Sequence, residues 1–112
     1  MIIRLTTAET LKGLVNQAEN LLLYFYHDGC APCISLRPKV EQLITERFPE
    51  MDMVYVDATQ FPELIADYQA YSYPLMIFFF EGKEYFRFSK YVSIQELSES
   101  IGRIYDIYHL PD

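Results

Sequence analysis

Cys30-Ala31-Pro32-Cys33 is the one place in this 112-residue chain where residue type and spacing together imply chemistry. The pair follows an apolar run, Leu21 to Tyr26, and opens a helical pattern that continues to about Phe48. Two cysteines at i and i+3 on a first helical turn lie close enough to close a small disulfide ring. A helix N-terminus favours negative charge, so the first sulfur sits where thiolate gains over thiol. That combination points to thiol–disulfide redox chemistry. Two readings compete with it: a pair of core thiols, or half of a zinc site. A single pair supplies only two of four tetrahedral ligands. His27 is near enough in sequence to bring a third, although a strand-end histidine also serves as an ordinary side chain, and His109 carries less weight still.

The elements that must hold this pair can be read on either side of it. Thr6-Thr7-Ala8-Glu9 has the form of a capping box, opening an amphipathic helix that turns Leu11, Leu14, Val15 and Ala18 inward. Leu21 to Tyr26 is apolar at both parities, as a strand buried on both faces requires. The helix begun at the cysteines carries Ile34, Val40, Leu43 and Ile44, with Pro38 inside it removing a backbone donor. Met53 to Val56 is a short strand closed by Asp57, and Pro62 suits the first turn of a helix reaching about Gln69. Leu75 to Phe80 is a second strongly apolar strand. Glu81-Gly82-Lys83 has hairpin size, and Glu84 to Ser89 follows as its antiparallel partner. Ser93-Ile94-Gln95-Glu96 is another capping box, for a last helix with Ile94, Leu97, Ile101, Ile104 and Tyr108 as its buried stripe. The order is α-β-α-β-α-β-β-α, an α/β architecture with helices on both faces of a mixed sheet.

Length and charge narrow the function classes. One domain across residues 1–112 is expected, large enough for one core. With 51% hydrophobic residues the chain is not a disordered one. A formal net charge of −7 argues against nucleic acid as a partner, because phosphate backbones demand clustered Lys and Arg. The longest apolar run, Tyr73 to Phe80, falls well short of the ~20 residues a membrane helix takes. The first residues lack the long apolar stretch of a secretory signal, which implies a cytoplasmic address. In a reducing compartment two cysteines are more often catalytic or metal-binding than a staple.

With its CxxC after a strand, Pro38 eight residues beyond Cys30, Tyr73-Pro74 directly before a strand, a hairpin and one closing helix, the chain resembles the thioredoxin superfamily over nearly its whole length. The resemblance implies a thioredoxin-like fold, a mixed sheet of four or five strands flanked by four helices. It implies a thiol–disulfide oxidoreductase with Cys30 as the attacking thiolate and Cys33 as the resolving thiol. The turn residues would be Gly29, Ala31 and Pro32, and no cofactor is implied beyond the Cys30–Cys33 disulfide. Family members with proline at the place of Pro32 are mostly reductants. The family's proline matching Pro74 is cis, and Tyr73 and Pro74 would bind substrate there. The implied partners are protein disulfides, with a thioredoxin-reductase-like protein or a low-molecular-weight thiol as electron donor. A weakly catalytic interaction or redox-sensing module on the same fold is the alternative.

Departures from the family pattern bear on activity. The tryptophan usual before the first cysteine is Gly29, and a second aromatic position holds Tyr26. The buried acid six residues before that cysteine is Tyr24, and the lysine that faces it corresponds to Met53. A phenol of pKa near 10 is a poor base at neutrality. The loop glycine beside the substrate falls at Lys90 or Tyr91, which predicts a differently shaped groove. Arg37 lies two turns beyond Cys30, too far to activate it.

Overall fold

The computed structural model describes residues 1–108 and Leu110, so His109 falls outside the described residues. Its elements are β1 (Ile2–Arg4), α1 (Glu9–Gln17), β2 (Asn20–Tyr26), α2 (Ala31–Arg47), β3 (Asp52–Asp57), α3 (Pro62–Tyr68), β4 (Leu75–Phe80), β5 (Lys83–Phe88) and α4 (Ile94–Ile107). The strands form one sheet in the order β1-β3-β2-β4-β5. β1 and β2 run parallel to β3, β4 runs antiparallel to β2, and β5 antiparallel to β4. The sheet is mixed, with five strands and four helices.

Strand β2 shows why its sequence is apolar throughout. Leu22, Tyr24 and Tyr26 enter one core, with α2 and α4, while Leu21, Leu23 and Phe25 enter the other, with α1 and α3. Alternate side chains point to opposite faces, and both faces are covered. Cys30 and Cys33 belong to the first of these cores.

Several local expectations needed correction. β1 was not legible, because three residues give no periodicity. It is held by its register, Ile2 opposite Met53 and Arg4 opposite Tyr55, and by the Leu5 N–H donating to the Tyr55 carbonyl at 3.0 Å. The Thr6–Glu9 capping box does not form: Ala8 is the N-cap of α1, with no side-chain cap, and the Thr10 hydroxyl donates to the Thr7 carbonyl instead. The second box does form, at least in its serine half, with Ser93 Oγ accepting from the Glu96 N–H at 3.0 Å. Ile34 is 59% exposed, not part of the α2 core face. On α4 the fully packed line is Leu97, Ile101 and Tyr105, residues spaced by four, whereas Tyr108 is exposed at the helix end. There its ring stacks on Phe80 at 4.3 Å and its hydroxyl meets that of Tyr85.

The β4–β5 connection is a two-residue turn with positive φ at both Glu81 (50°) and Gly82 (79°), as a type I′ hairpin requires. Glu81 tolerates that backbone with its N–H tied to the Glu19 carbonyl at 2.8 Å.

Candidate active site

The cysteine pair is built by the start of α2. Cys30 is the helix N-cap, in extended backbone, and its Sγ accepts a hydrogen bond from the Cys33 N–H at 3.1 Å. Its own N–H donates to the His27 carbonyl at 3.1 Å, and its carbonyl accepts from the Ile34 N–H. Pro32 lies in the first turn, where the N–H it lacks has no helical acceptor to lose. Cys30 and Cys33 are joined by a disulfide, with Cα atoms 5.2 Å apart. Cys33 has no exposed surface and Cys30 keeps 7%. Gly29, Ala31 and Pro32 are exposed around it. A Cβ on Gly29 would meet only the His27 ring, at 3.4 Å, so the glycine leaves that side of the turn open.

Tyr73 and Pro74 come to the same end of the sheet. The Tyr73–Pro74 bond is cis. β4 begins at Leu75, paired with Phe25, so Pro74 continues the register toward the end of β2 from which the cysteine turn departs. The half-buried Tyr73 ring stands edge-on to His27 at 5.3 Å. The sequence-assigned residues Gly29, Ala31, Pro32, Cys30, Cys33, Tyr73 and Pro74 are thus gathered at one edge of the fold. Val92, which anchors the loop carrying Lys90 and Tyr91, packs in the core that holds both cysteines. Tyr91 itself is 85% exposed, with the Lys90 ammonium 5.2 Å from its ring centre.

Beneath the disulfide lies an arrangement the sequence reading missed. The fully buried Tyr24 donates its phenol to the Cys33 carbonyl at 2.9 Å. Tyr55 pairs with Tyr24 across the sheet and meets it edge-on at 5.3 Å. The Arg37 guanidinium lies 4.4 Å from the centre of the Tyr26 ring and 5.2 Å from that of Tyr55. Met53 is buried and apolar, so the lysine position holds no charge. The signal that could have revealed the cluster was periodic: Tyr24 and Tyr26 share a strand face, and Arg37 follows Cys33 by one helical turn.

Burial pushes the Tyr24 phenol from 10.0 up to about 12, with the Arg37 charge opposing it. Tyr55 is pushed up further by burial and by the Glu41 carboxylate. Both phenols are therefore neutral at physiological pH, and neither is a base. The folded state keeps protons that the unfolded chain releases above pH 10, so these groups stabilise fully below that pH and less as it climbs toward 12. Urea unfolding of the oxidised protein should show a lower midpoint at about pH 11 than at about pH 8, and Tyr24→Phe should narrow the gap. Equal midpoints would overturn burial as the cause.

Among the described residues no three His, Cys, Asp or Glu side chains are grouped as a metal site, and no helix is long and apolar enough to cross a membrane.

Comparison with known proteins agrees with the geometry. The family model described as Thioredoxin matches residues 2–103. The thioredoxin-like protein YdfQ of Bacillus subtilis is 20% identical over 99 residues, covering 88% of each chain. Thioredoxin of Mycobacterium tuberculosis is 26% identical over 103 residues, covering 88% of this chain and 89% of its own. The structure of Fasciola hepatica thioredoxin superposes with a TM-score of 0.79 at 35% identity, over 92% of this chain and 98% of that one. A mutant thioredoxin from Halobacterium salinarum reaches 0.81 at 20% identity, over 91% and 88% respectively, which speaks to the fold. A family match across nearly the whole chain, joined to a disulfide closed at the mouth of α2, places this protein in the thioredoxin family as a thiol–disulfide oxidoreductase.

Proposed function

We propose that the chain is a single-domain cytoplasmic reductase of protein disulfides in which Cys30 attacks and Cys33 resolves. The observation that carries this is the asymmetry of the pair. Cys30 Sγ sits at the helix mouth, accepting the Cys33 N–H, while Cys33 is wholly covered. Once the pair is reduced, that N–H and the helix end favour Cys30 as thiolate. The helix-end contribution is about 0.3–1 kcal/mol, under one pKa unit, so the activation is modest and suits a reductant.

In the first step Cys30 Sγ bonds to a substrate sulfur and the other substrate sulfur leaves as thiolate. In the second, Cys33 Sγ displaces the bound sulfur and closes the ring. Tyr73 and Pro74 would bind the substrate, an extended peptide pairing with the Tyr73 backbone. Gly29, Ala31 and Pro32 would form the turn it meets. A thioredoxin-reductase-like protein or a low-molecular-weight thiol would return the pair to the dithiol, and the cytoplasm supplies a reducing setting.

A second reading, a redox-sensing module with weak catalysis, draws support from Tyr24. Its proton is committed to the Cys33 carbonyl, so the residue at the family's acid position does not accept the Cys33 proton. Insulin reduction by dithiothreitol separates the two: the protein should accelerate it catalytically, and Cys33→Ser should stop at a trapped mixed disulfide on Cys30. No acceleration by the native protein would favour the sensor.

A further inference from the structure

The second step needs Cys33 as thiolate inside the protein, where the family's acid and lysine are replaced by Tyr24 and Met53. Burial without a partner raises a thiol's pKa, so some group must oppose it for the ring to close at useful speed. Arg37 is the cation placed to do so. It stands four residues after Cys33 on α2, hence on the same helix face. Helical side chains lean toward the helix N-terminus, the end of α2 that carries the cysteines.

Two aromatic faces fix that guanidinium, Tyr26 at 4.4 Å and Tyr55 at 5.2 Å. Stacking of this kind holds a cation while leaving its edge free for an anion. Arg37 Nε is buried with no hydrogen-bond partner. Its charge reaches the Tyr24 phenol, which in turn lies 2.9 Å from the Cys33 carbonyl. We infer that Arg37 is a positioning residue for disulfide exchange, a clamped positive charge that stabilises the Cys33 thiolate as the ring closes.

The inference rests on the reading of Cys33 as resolving thiol. In the step it serves, the Cys33 proton passes to water or to the substrate thiolate released earlier. Cys33 Sγ then bonds to Cys30 Sγ as the bond from Cys30 to substrate breaks. The electron pair leaves on the substrate sulfur, which takes up a proton. The cysteine pair is oxidised by two electrons and the substrate disulfide reduced by two.

The other groups facing this cation are few. From β2 and β3 come the rings of Tyr24, Tyr26 and Tyr55, and from α2 the Glu41 carboxylate, which acts on Tyr55 and opposes Arg37. Asp57, at the end of β3, is engaged by the Thr59 N–H and hydroxyl at 2.9 and 2.6 Å.

The test is the titration of Cys33 in a Cys30→Ser background, followed by the 13Cβ shift of labelled cysteine. Arg37→Met should raise its pKa by about half a unit to one unit, leaving roughly three- to tenfold less thiolate near neutrality. The lower figure reflects the partial exposure of Arg37, where solvent screens the charge. Arg37→Lys should recover part of the shift, since it keeps charge and loses the planar stack. Glu41→Gln, a milder change, should move Cys33 the other way. A Cys33 titration unmoved by both Arg37→Met and Glu41→Gln overturns the inference; if Arg37→Met does not fold, Glu41→Gln decides alone. The titration needs no turnover, so a shifted Cys33 in a protein that fails to reduce insulin would sink the reductase reading and leave this one standing.

Discussion

Cys30→Ser is expected to lower insulin reduction to the rate of dithiothreitol alone, a complete loss of the catalysed reaction. Serine keeps the volume and can still cap α2, so the helix survives. It removes the only sulfur of the pair with any exposed surface, 7% against none for Cys33. The covered sulfur cannot take over, because attack on a substrate disulfide demands that the two sulfurs meet in line. A native protein in dithiothreitol also lacks its disulfide, so the comparison is not confused by the cross-link, whose chain-entropy contribution for so short a loop is about 2 kcal/mol. Cys33→Ser gives the complementary outcome, one turnover and then a stalled mixed disulfide. Residual multiple-turnover activity in Cys30→Ser would mean that the two cysteines had been assigned the wrong roles.

What the sequence made legible was whatever repeats with a period. The apolar runs of β2 and β4, the cysteine turn between strand and helix, and the hairpin turn all carry local signals, and the structure differs only in giving Lys83 of the expected Glu81-Gly82-Lys83 turn to β5. The site's backbone was therefore visible from its residues. Its underside was not. Counted along the helix, Arg37 lies two turns beyond Cys30, yet its side chain rests on Tyr26 and Tyr55, residues 11 and 18 positions away in the chain. Contacts of that kind depend on sheet register, β2 beside β3 with Tyr24 opposite Tyr55, which composition cannot specify. Ile34 fails for the opposite reason. Its apolar side chain suggested core, but it follows Cys33 directly and so turns about 100° away from the buried face. The short β1 has no pattern at all and forms because β3 offers it an edge.

Phe78→Ala should be the most destabilising single change within the sheet, costing about 3–5 kcal/mol of the roughly 5–15 kcal/mol that holds a domain of this size. Phe78 is fully buried in the middle of β4, opposite Leu22 on β2 and Phe86 on β5, and its ring stacks on Phe86 at 5.1 Å. Alanine would leave a cavity lined by strands whose backbones are locked on both sides, so little of it can close. The same core contains Cys30 and Cys33, which links the loss to function. At low temperature the variant should still reduce insulin, because no reacting group has changed, and activity should fail on heating well before that of the native protein. Ile34→Ala is the control: next to Cys33 in the chain but 59% exposed, it should stay within about 0.5 kcal/mol of native. Urea midpoints of the two oxidised variants make the comparison, with the slope checked for constancy. If Phe78→Ala cost less than about 1.5 kcal/mol, the core beneath the disulfide would be soft enough to repack. The Tyr26–Arg37–Tyr55 stack could then not be counted on to hold a charge in place.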